Sequence, residues 1–562
     1  MFLRESLICS MIKATTFLLL LFLDLSKPTL ANDFQIGKRF YEKGLLADST
    51  PVSVILQGDI KANGHLINCA SCHRSSGYGD GEGGNYVPPI TGPVLFNEYA
   101  PERQHIFRNL YQDVQTPATR AQVHDLKQRA AYNEQLLNRA ITSGINSDDE
   151  QLSLSMPRFM LDKATLKGLT VYLKSLGAQN LDSLPKIGVE PDILHFATIF
   201  TPDVNPAEKA AIMAVFNAYL KRKNFNTIAA QKKPNYSSGY KSDFVYAQRQ
   251  WQLHEWQLTG SAEQWPKQLA AFYQAKSVFS VLGGKGQRWQ AIHDFCEQRS
   301  LPCLFPNTPL PVTAKAGEYT LYFSKGLQGE ADSLATHLQS LDDVSPVVQI
   351  YRANSVGEVA ARFLDNRLSK KQSSKITSSD LIITEQQRLG AAFWEPLLAQ
   401  KKTLVLWLDR DDFDTLPSLS SINLQQASIF VSASLIDLKN KPLSPQRYNK
   451  ALSFIWPWAL PNHEPKRLYR ARAWMRSRGV PMTHELEQLN TFFVLNVVDY
   501  AMHDLLDRFS REYSIEIIER ITENALNPGL YRSMSLGPKQ RFAVKKYSIL
   551  NAPLLIPENS NR

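Results

Sequence analysis

The chain has 562 residues and a formal net charge of +10. That length exceeds what one hydrophobic core supports and predicts roughly two to four domains. The positive charge is spread along the chain, and no basic stripe interleaves with aromatic residues, so we expect no nucleic-acid binding. The basic excess fits ordinary solubility or attraction to acidic partners.

The N-terminal residues have the pattern of a secretory signal. Lys13 precedes the apolar run Phe17–Leu23, and Thr29–Ala31 ends the segment with a small-residue cleavage site. We therefore predict a signal peptide over residues 1–31 and a mature protein in the periplasm of a Gram-negative-type bacterium. A membrane anchor is the alternative, but the run is shorter than the ~20 residues that a spanning helix needs. No later stretch is long and apolar enough, so we expect no membrane span after cleavage.

The motif Cys69-Ala70-Ser71-Cys72-His73 is the strongest chemical signal in the chain. It is typical of c-type haem attachment, in which both thiols bond to the porphyrin and the imidazole ligates the iron. At this composition chance produces the pattern in about one chain per thousand. A thioredoxin-type pair and half of a zinc site are the alternatives, but the expected flanking strand, helix or second Cys/His pair is missing. One covalent haem c is the predicted cofactor, with His73 as an axial ligand.

A glycine-rich loop follows the motif from Gly77 onwards. Glycines let backbone approach a porphyrin edge closely, although an ordinary surface loop is the simpler interpretation. Pro88 and Pro89 come next, and a proline carbonyl here can accept a hydrogen bond from Nδ1 of His73. We predict that Pro89 is this acceptor.

Met156 is the predicted second axial ligand of the iron. It precedes Pro157, which holds the chain extended, and a leucine-patterned helix follows after Asp162. Thioether ligation raises the reduction potential and fills the sixth position, which disfavours oxygen chemistry. His65 and Met160 are the rival ligands.

These features resemble a class I cytochrome c domain over about residues 35–178. The haem motif, Met156-Pro157 and the closing helix ending in Tyr172–Leu176 carry the resemblance. It implies an all-α haem domain with His73 and Met156 as axial ligands. One stretch departs from that pattern: Thr50–Asn68 stands as an insertion between the first helix and the haem motif.

The remainder of the chain predicts an α/β architecture. Residues 179–191 contain Pro185, Gly188 and Pro191 and are predicted to be a linker. From 192 to 555 short apolar strands alternate with helical patterns, which favours parallel sheets with helices on both faces.

This part resembles the type I periplasmic binding proteins, near the branched-chain amino-acid receptors of ABC transporter systems. The resemblance depends on the strand and glycine turn Val278–Gly286, on Leu301–Thr308, and on the return segment Phe454–Trp458 with its following helices. It implies two α/β lobes with a ligand cleft between them, where strand ends and helix N-termini suit a carboxylate.

The candidate cleft residues are Gly283, Gly284 and Thr308, which lie where the resemblance places ligand contacts. The alternative is that the two glycines only form a tight turn. No amino-acid-clamping residues can be assigned.

Cys296 and Cys303 remain after the haem cysteines are assigned. An exported protein meets an oxidising compartment, so a disulfide between them is predicted, with two buried thiols as the alternative.

The leading functional hypothesis is electron transfer in the periplasm. The haem would accept an electron from a dehydrogenase, such as a quinoprotein, and pass it to another cytochrome or an oxidase. The binding-protein-like module would sense a small solute or dock the redox partner.

The alternative is a solute-binding receptor of an ABC-type uptake system with an accessory haem domain. A haem enzyme is the weakest hypothesis, because no catalytic His/Arg pair stands beside an open iron position.

Overall fold

The computed structural model describes residues 27–82, 85–98, 129–177, 184–232, 248–314, 317–341, 345–369, 376–419, 428–444, 450–460, 466–505, 508–524 and 529–552. The chain divides into two compact units, one formed mainly by residues up to Leu181 and the other mainly by residues from Asp182. The predicted signal peptide lies outside the described residues, except that Lys27–Ala31 begin the first helix.

The first unit combines short helices with small antiparallel sheets. Its described helices are α1 (Lys27–Lys43), α2 (Cys69–His73), α3 (Gly92–Leu95), α4 (Glu134–Ser143) and α5 (Lys163–Ser175). Its described strands are β1 (Ser53–Leu56), β2 (Ile60–Asn63), β3 (Asp80–Glu82), β4 (Asn85–Val87) and β5 (Arg158–Phe159). They form one sheet in the order β2-β1-β5 and a β3-β4 ribbon.

The prediction of an all-α first domain is therefore wrong. The apparent insertion Thr50–Asn68 contains the β1–β2 hairpin, in which Leu56 pairs with Ile60. Gly58 and Asp59 adopt positive φ at its turn, and the strand Ser53–Leu56 is rich in β-branched residues. Strand propensity and turn chemistry thus account for the sheet.

Helices α1 and α5 pack closely in the core of the first unit. A Cβ atom on Gly37 would lie 2.1 Å from the carbonyl oxygen of Gly168, so the two backbones meet where neither residue has a side chain. Phe34 and Tyr41 flank this contact and pack their rings on Tyr172 at centroid distances of 5.4 and 5.2 Å. Aromatic burial at the crossing stabilises the pair of helices.

A helix-and-loop element occurs twice in the first unit, at an offset of 100 residues. Helices α1 and α4 each end at a left-handed glycine, Gly44 and Gly144. Each following loop is closed by an antiparallel bridge, and an arginine side chain, Arg39 or Arg139, donates to carbonyls of its loop. Sequence identity between the copies is low, which explains why the repeat is easily missed.

The first sheet of the second unit is parallel. Its strands are β6 (Ile193–Phe200), β7 (Gln250–Gln257), β8 (Ser280–Leu282), β9 (Cys303–Leu304) and β10 (Thr320–Leu321), in the order β10-β9-β8-β6-β7. Helices α6 (Pro206–Gln231), α7 (Trp265–Ala275) and α8 (Gln290–Gln298) connect them. A hydrophobic core around Trp256, Trp289 and Ile292 is buried against this sheet. We call this sheet and its helices the first lobe.

The second sheet of this unit defines the second lobe. Its strands are β11 (Val347–Arg352), β12 (Ser378–Ile383), β13 (Thr403–Trp407), β14 (Ser428–Ser432), β15 (Leu452–Trp456) and β16 (Ser548–Asn551), in the order β12-β11-β13-β14-β15-β16. All pairings are parallel except the edge pair β15–β16. Helix α9 (Gly326–Gln339) precedes β11, and helices α10 (Val356–Ser369), α11 (Ala391–Leu398) and α12 (Arg410–Asp414) lie between later strands along the chain.

The chain enters the second lobe after β10, leaves it after β15 and returns to it with β16. Helices α13 (Lys466–Ser477), α14 (Glu485–Leu505) and α15 (Arg511–Asn524) follow the return segment. Phe493 of α14 packs its ring on Phe305 of the first lobe at 5.2 Å. The predicted two-lobed α/β fold is confirmed by this topology. Within the described ranges, no helix has the length and apolarity needed to cross a bilayer.

The predicted linker differs from the structure in its second half. Residues 185–187 form a 3-10 turn, Val189 is fully buried, and the amide of His195 donates to the carbonyl of Gly188. These residues belong to the second unit because they pack beside strand β6.

Candidate functional site

The motif residues lie on the short helix α2. Asn68 caps it: its side-chain oxygen accepts from the amide of Ser71 at 3.1 Å, and the Ser71 hydroxyl accepts from the amide of Asn68. This capping box fixes the start of a single helical turn that carries Cys69, Cys72 and His73.

The imidazole of His73 is oriented by the backbone. Its Nδ1 lies 3.0 Å from the carbonyl oxygen of Pro88. The prediction of Pro89 as acceptor is wrong by one residue, because the loop presents the preceding carbonyl to the ring. A carbonyl only accepts, so Nδ1 carries the hydrogen and Nε2 of the neutral ring keeps its lone pair. Burial lowers the pKa of His73 and outweighs the opposing effect of the Pro88 carbonyl.

The glycines after the motif let the chain approach itself. Gly79 adopts φ +74°, and a Cβ atom there would lie 2.1 Å from the carbonyl oxygen of Val87. The Gly79 amide nitrogen donates to the carbonyl oxygen of His73 at 3.1 Å. The Ile90 amide nitrogen donates to the carbonyl oxygen of Gly77 at 2.7 Å. The loop thereby returns to the helix and brings Pro88 to the imidazole.

Cys69 is half-buried and Cys72 is exposed. Burial raises the pKa of the Cys69 thiol to about 12. A thioredoxin-type pair needs its first thiol as a thiolate near neutral pH, so this environment disfavours that alternative.

Met156 lies half-buried in the turn before β5. Its amide donates to the carbonyl of Ser153 at 3.1 Å, and the Arg158 guanidinium donates to the Met156 carbonyl. Strand β5 pairs with β1, so the hairpin that stood out as an insertion holds the segment that carries Met156. Of the rival ligands, Met160 is 58% exposed and His65 is exposed.

Large apolar side chains are exposed in the first unit. Ile60, Leu66, Leu154 and Met160 are large apolar residues of the first unit that remain mostly exposed in the described residues. Leu66 lies three residues before Cys69 and Leu154 two residues before Met156. Burial of such surface under an apolar group would be favourable. Among the described residues, no group of three or more His, Cys, Asp or Glu side chains is arranged to hold a bare metal ion.

The candidate cleft residues lie at strand ends of the first lobe. Gly283 and Gly284 follow β8 with φ +55° and +85°, and a Cβ atom on Gly284 would lie 2.3 Å from the carbonyl oxygen of Ile199. This geometry supports the interpretation of a tight turn. The Thr308 hydroxyl donates to the carbonyl of Gln287 at 3.4 Å, within the same lobe.

A charged residue in this glycine turn was missed by the sequence analysis. Lys285 follows Gly284 directly and forms ion pairs with Glu208 on α6 and Glu487 on α14. The sequence signal that could have indicated this residue is a single lysine within the glycine-rich turn Gly283–Gly286. Its partners are 77 and 202 positions away along the chain and could not be assigned without the fold.

A disulfide joins Cys296 of α8 to Cys303 of β9, with their Cα atoms 6.3 Å apart. Both cysteines are buried in the core of the first lobe. The bond therefore connects a helix to the strand that follows it.

Comparisons with known proteins identify structural likeness without a family. No family model and no curated protein matches the chain. A putative branched-chain amino acid ABC transporter protein from Rhodospirillum rubrum matches at 14% identity and TM-score 0.44, covering 65% of this chain and 98% of that chain. A possible leucine/isoleucine/valine-binding protein from Rhodopirellula baltica matches at 14% identity and TM-score 0.46, covering 65% of this chain and 95% of that chain. A benzoate complex of a solute-binding protein from R. palustris matches at 9% identity and TM-score 0.46, covering 64% of this chain and 93% of that chain. At TM-scores below 0.5 these matches carry no argument about function.

Proposed function

We propose that this protein is an exported electron carrier with one covalent haem c in its first unit. The observation that carries the proposal is the His73–Pro88 contact within an intact Cys-x-x-Cys-His motif. It holds an imidazole in the tautomer that a metal ligand requires, on the same helical turn as Cys69 and Cys72.

The protein's own residues would perform distinct tasks at this site. Cys69 and Cys72 would hold the porphyrin through thioether bonds, while Nε2 of His73 would ligate the iron. Met156 would supply a sulfur ligand, and Pro88 keeps the imidazole oriented. The bound haem supplies a one-electron couple, and the two axial ligands would leave no open position for substrate. The donor is proposed to be a dehydrogenase and the acceptor another cytochrome or an oxidase.

Covalent attachment gives the decisive experiment. We would express the full chain with its leader in a host that matures c-type cytochromes, and measure its mass after denaturation. The expected result is one added haem, which is lost in the variant Cys69→Ser/Cys72→Ser. The double variant Cys296→Ser/Cys303→Ser removes the disulfide outside the motif and should keep the haem. Wild-type protein that carries no denaturation-resistant haem would overturn the proposal.

A solute-binding receptor is the second candidate function. The carboxyl ends of parallel strands from two lobes carry polar residues, with Lys285 after β8 and Asn440 after β14, and such ends are the usual ligand positions of open α/β sheets. Native mass spectrometry of protein purified from its own source distinguishes the candidates. A small mass that is lost on denaturation favours a receptor, whereas haem alone favours the carrier.

A further inference from the structure

Lys285 has two carboxylate partners at the carboxyl end of β8. Its Nζ lies 3.1 Å from Oε1 of Glu208 and 2.6 Å from Oε1 of Glu487. Burial acts to lower the pKa of Lys285, but the two carboxylates outweigh it and the pKa is raised. The lysine is therefore held as a cation inside the first lobe.

The second oxygen of Glu487 is held from the second lobe. Asn440, in the turn region after β14, donates from Nδ2 to Oε2 of Glu487 at 2.9 Å. Its Oδ1 accepts from the amide of Leu486 at 2.9 Å, so the same side chain also satisfies an amide in the first turn of α14. The Glu487 carboxylate thus connects a turn of the first lobe with a turn of the second.

Helix α14 itself belongs with the first lobe. Asn490 donates from Nδ2 to Oδ1 of Asn307, which follows β9, at 2.8 Å, and its Oδ1 accepts from the Tyr531 hydroxyl at 3.2 Å. Phe493 packs on Phe305 one turn further along. Asn440 is therefore the contact in this network that crosses between the lobes.

The donors around Glu487 form a carboxylate-binding arrangement. The Glu487 side chain is only 8% exposed, and a carboxylate removed from water needs charged and hydrogen-bonding partners. An ammonium on one oxygen and an amide on the other supply them, and would serve equally for the carboxylate of a solute. Lys285 outweighs the effect of burial and lowers the pKa of Glu487, so the ion pair is maintained.

We propose that Lys285 and Asn440 form an interlobe carboxylate site, and that Glu487 occupies it as an internal ligand that holds the lobes together without a solute. This inference goes beyond the proposed electron transfer and does not depend on the haem. Removal of the Glu487 carboxylate would weaken the link between the lobes to the single bond from the Leu486 amide to Asn440, and would leave a site for a small carboxylate ion.

The test measures the distance between the lobes. Nitroxides coupled to p-acetylphenylalanine at positions 274 on α7 and 395 on α11, both exposed, leave the native cysteines untouched. Double electron–electron resonance of the full chain should give one narrow distance without added solute. Glu487→Ala should broaden it, and acetate at constant ionic strength should restore the narrow distribution, whereas chloride should not.

Matched variants distinguish loss of the Glu487–Asn440 contact from general destabilisation of the fold. Glu208→Gln removes the other carboxylate on Lys285, which has no link to Asn440, and should leave the distance unchanged. Asn440→Ala should broaden it like Glu487→Ala. Glu487→Gln, which keeps the side-chain volume, replaces the alanine variant if that variant fails to fold.

Two outcomes would overturn the inference. A broad distance distribution in the wild-type protein would show that the Glu487–Asn440 contact does not hold the lobes in one arrangement. A distribution unchanged by Glu487→Ala or Glu487→Gln would show that the carboxylate does not hold them. If the distribution broadens but acetate does not narrow it, the carboxylate-site part is wrong. None of these readings involves the haem, so they are independent of the proposed function.

Discussion

Nδ1 of His73 lies 3.0 Å from the carbonyl oxygen of Pro88. The contact depends on a loop that leaves α2 and returns within fifteen residues, because backbone and not a side chain provides the acceptor. Residues that let this loop close therefore control the histidine indirectly, and the histidine's orientation is open to test through them.

The first prediction concerns Gly79. Gly79→Ala should lower the free energy of unfolding of the first unit and the haem content per chain, because its Cβ would lie 2.1 Å from the Val87 carbonyl oxygen. Gly58→Ala is the matched control: its φ is +78°, yet nothing lies within 4 Å of the new Cβ. Both variants incur about 1–2 kcal/mol of backbone strain, and Gly79→Ala should lose more. If thermal unfolding shows equal losses of stability in Gly79→Ala and Gly58→Ala, the close approach of Gly79 to Val87 does not contribute to the stability of the first unit.

The second prediction concerns the sixth ligand. Met156→His should lower the reduction potential of the haem-loaded protein by a few tenths of a volt, within the ~0.8 V range that axial ligands span. Met160→His is the control, because that side chain is mostly exposed. Redox titration followed by optical spectroscopy measures both. A shift confined to the Met160 variant would reassign the ligand.

The third prediction concerns a buried carboxyl in the second lobe. Glu330 is 1% exposed, and burial raises its pKa from 4.5 to about 7. Ser432 donates to its Oε2 at 2.6 Å, while Oε1 has no hydrogen-bond partner in the described residues. The neutral form is preferred in the folded state, so its stabilisation is fully present below pH 4.5 and is lost as the pH rises through about 7.

Glu330→Gln should therefore flatten the dependence of stability on pH between about 4.5 and 7, a span worth up to about 3 kcal/mol. Chemical denaturation at a series of pH values measures it. Glu395→Gln on the exposed face of α11 controls for the change in net charge. An identical slope in wild-type and Glu330→Gln proteins would show that Glu330 does not titrate in this range.

The fourth prediction concerns the disulfide of the first lobe. Reduction, or the double variant Cys296→Ala/Cys303→Ala, should destabilise the second unit by about 2–4 kcal/mol, because the bond restricts the unfolded chain over a separation of seven residues. Denaturant unfolding with and without reductant checks this. The reductant should have no further effect on the double variant.

The sequence alone determined the features that depend on local chemistry. The spacing of Cys69, Cys72 and His73 and the strands and helices of the second unit follow from residue order and periodicity, while the two-lobed class follows from the resemblance that these elements carry. Each is encoded within a short window, where propensity and hydrophobic pattern act directly.

Only the tertiary structure decided the rest, because those features join residues that are distant in sequence. The choice of Pro88 over Pro89 depends on how a loop folds back, and the sheet that holds Met156 pairs β1 with a strand about a hundred residues later. The Lys285–Glu487 pair spans 202 positions. Burial and partner geometry at such separations follow from packing of the whole chain, which no local pattern specifies.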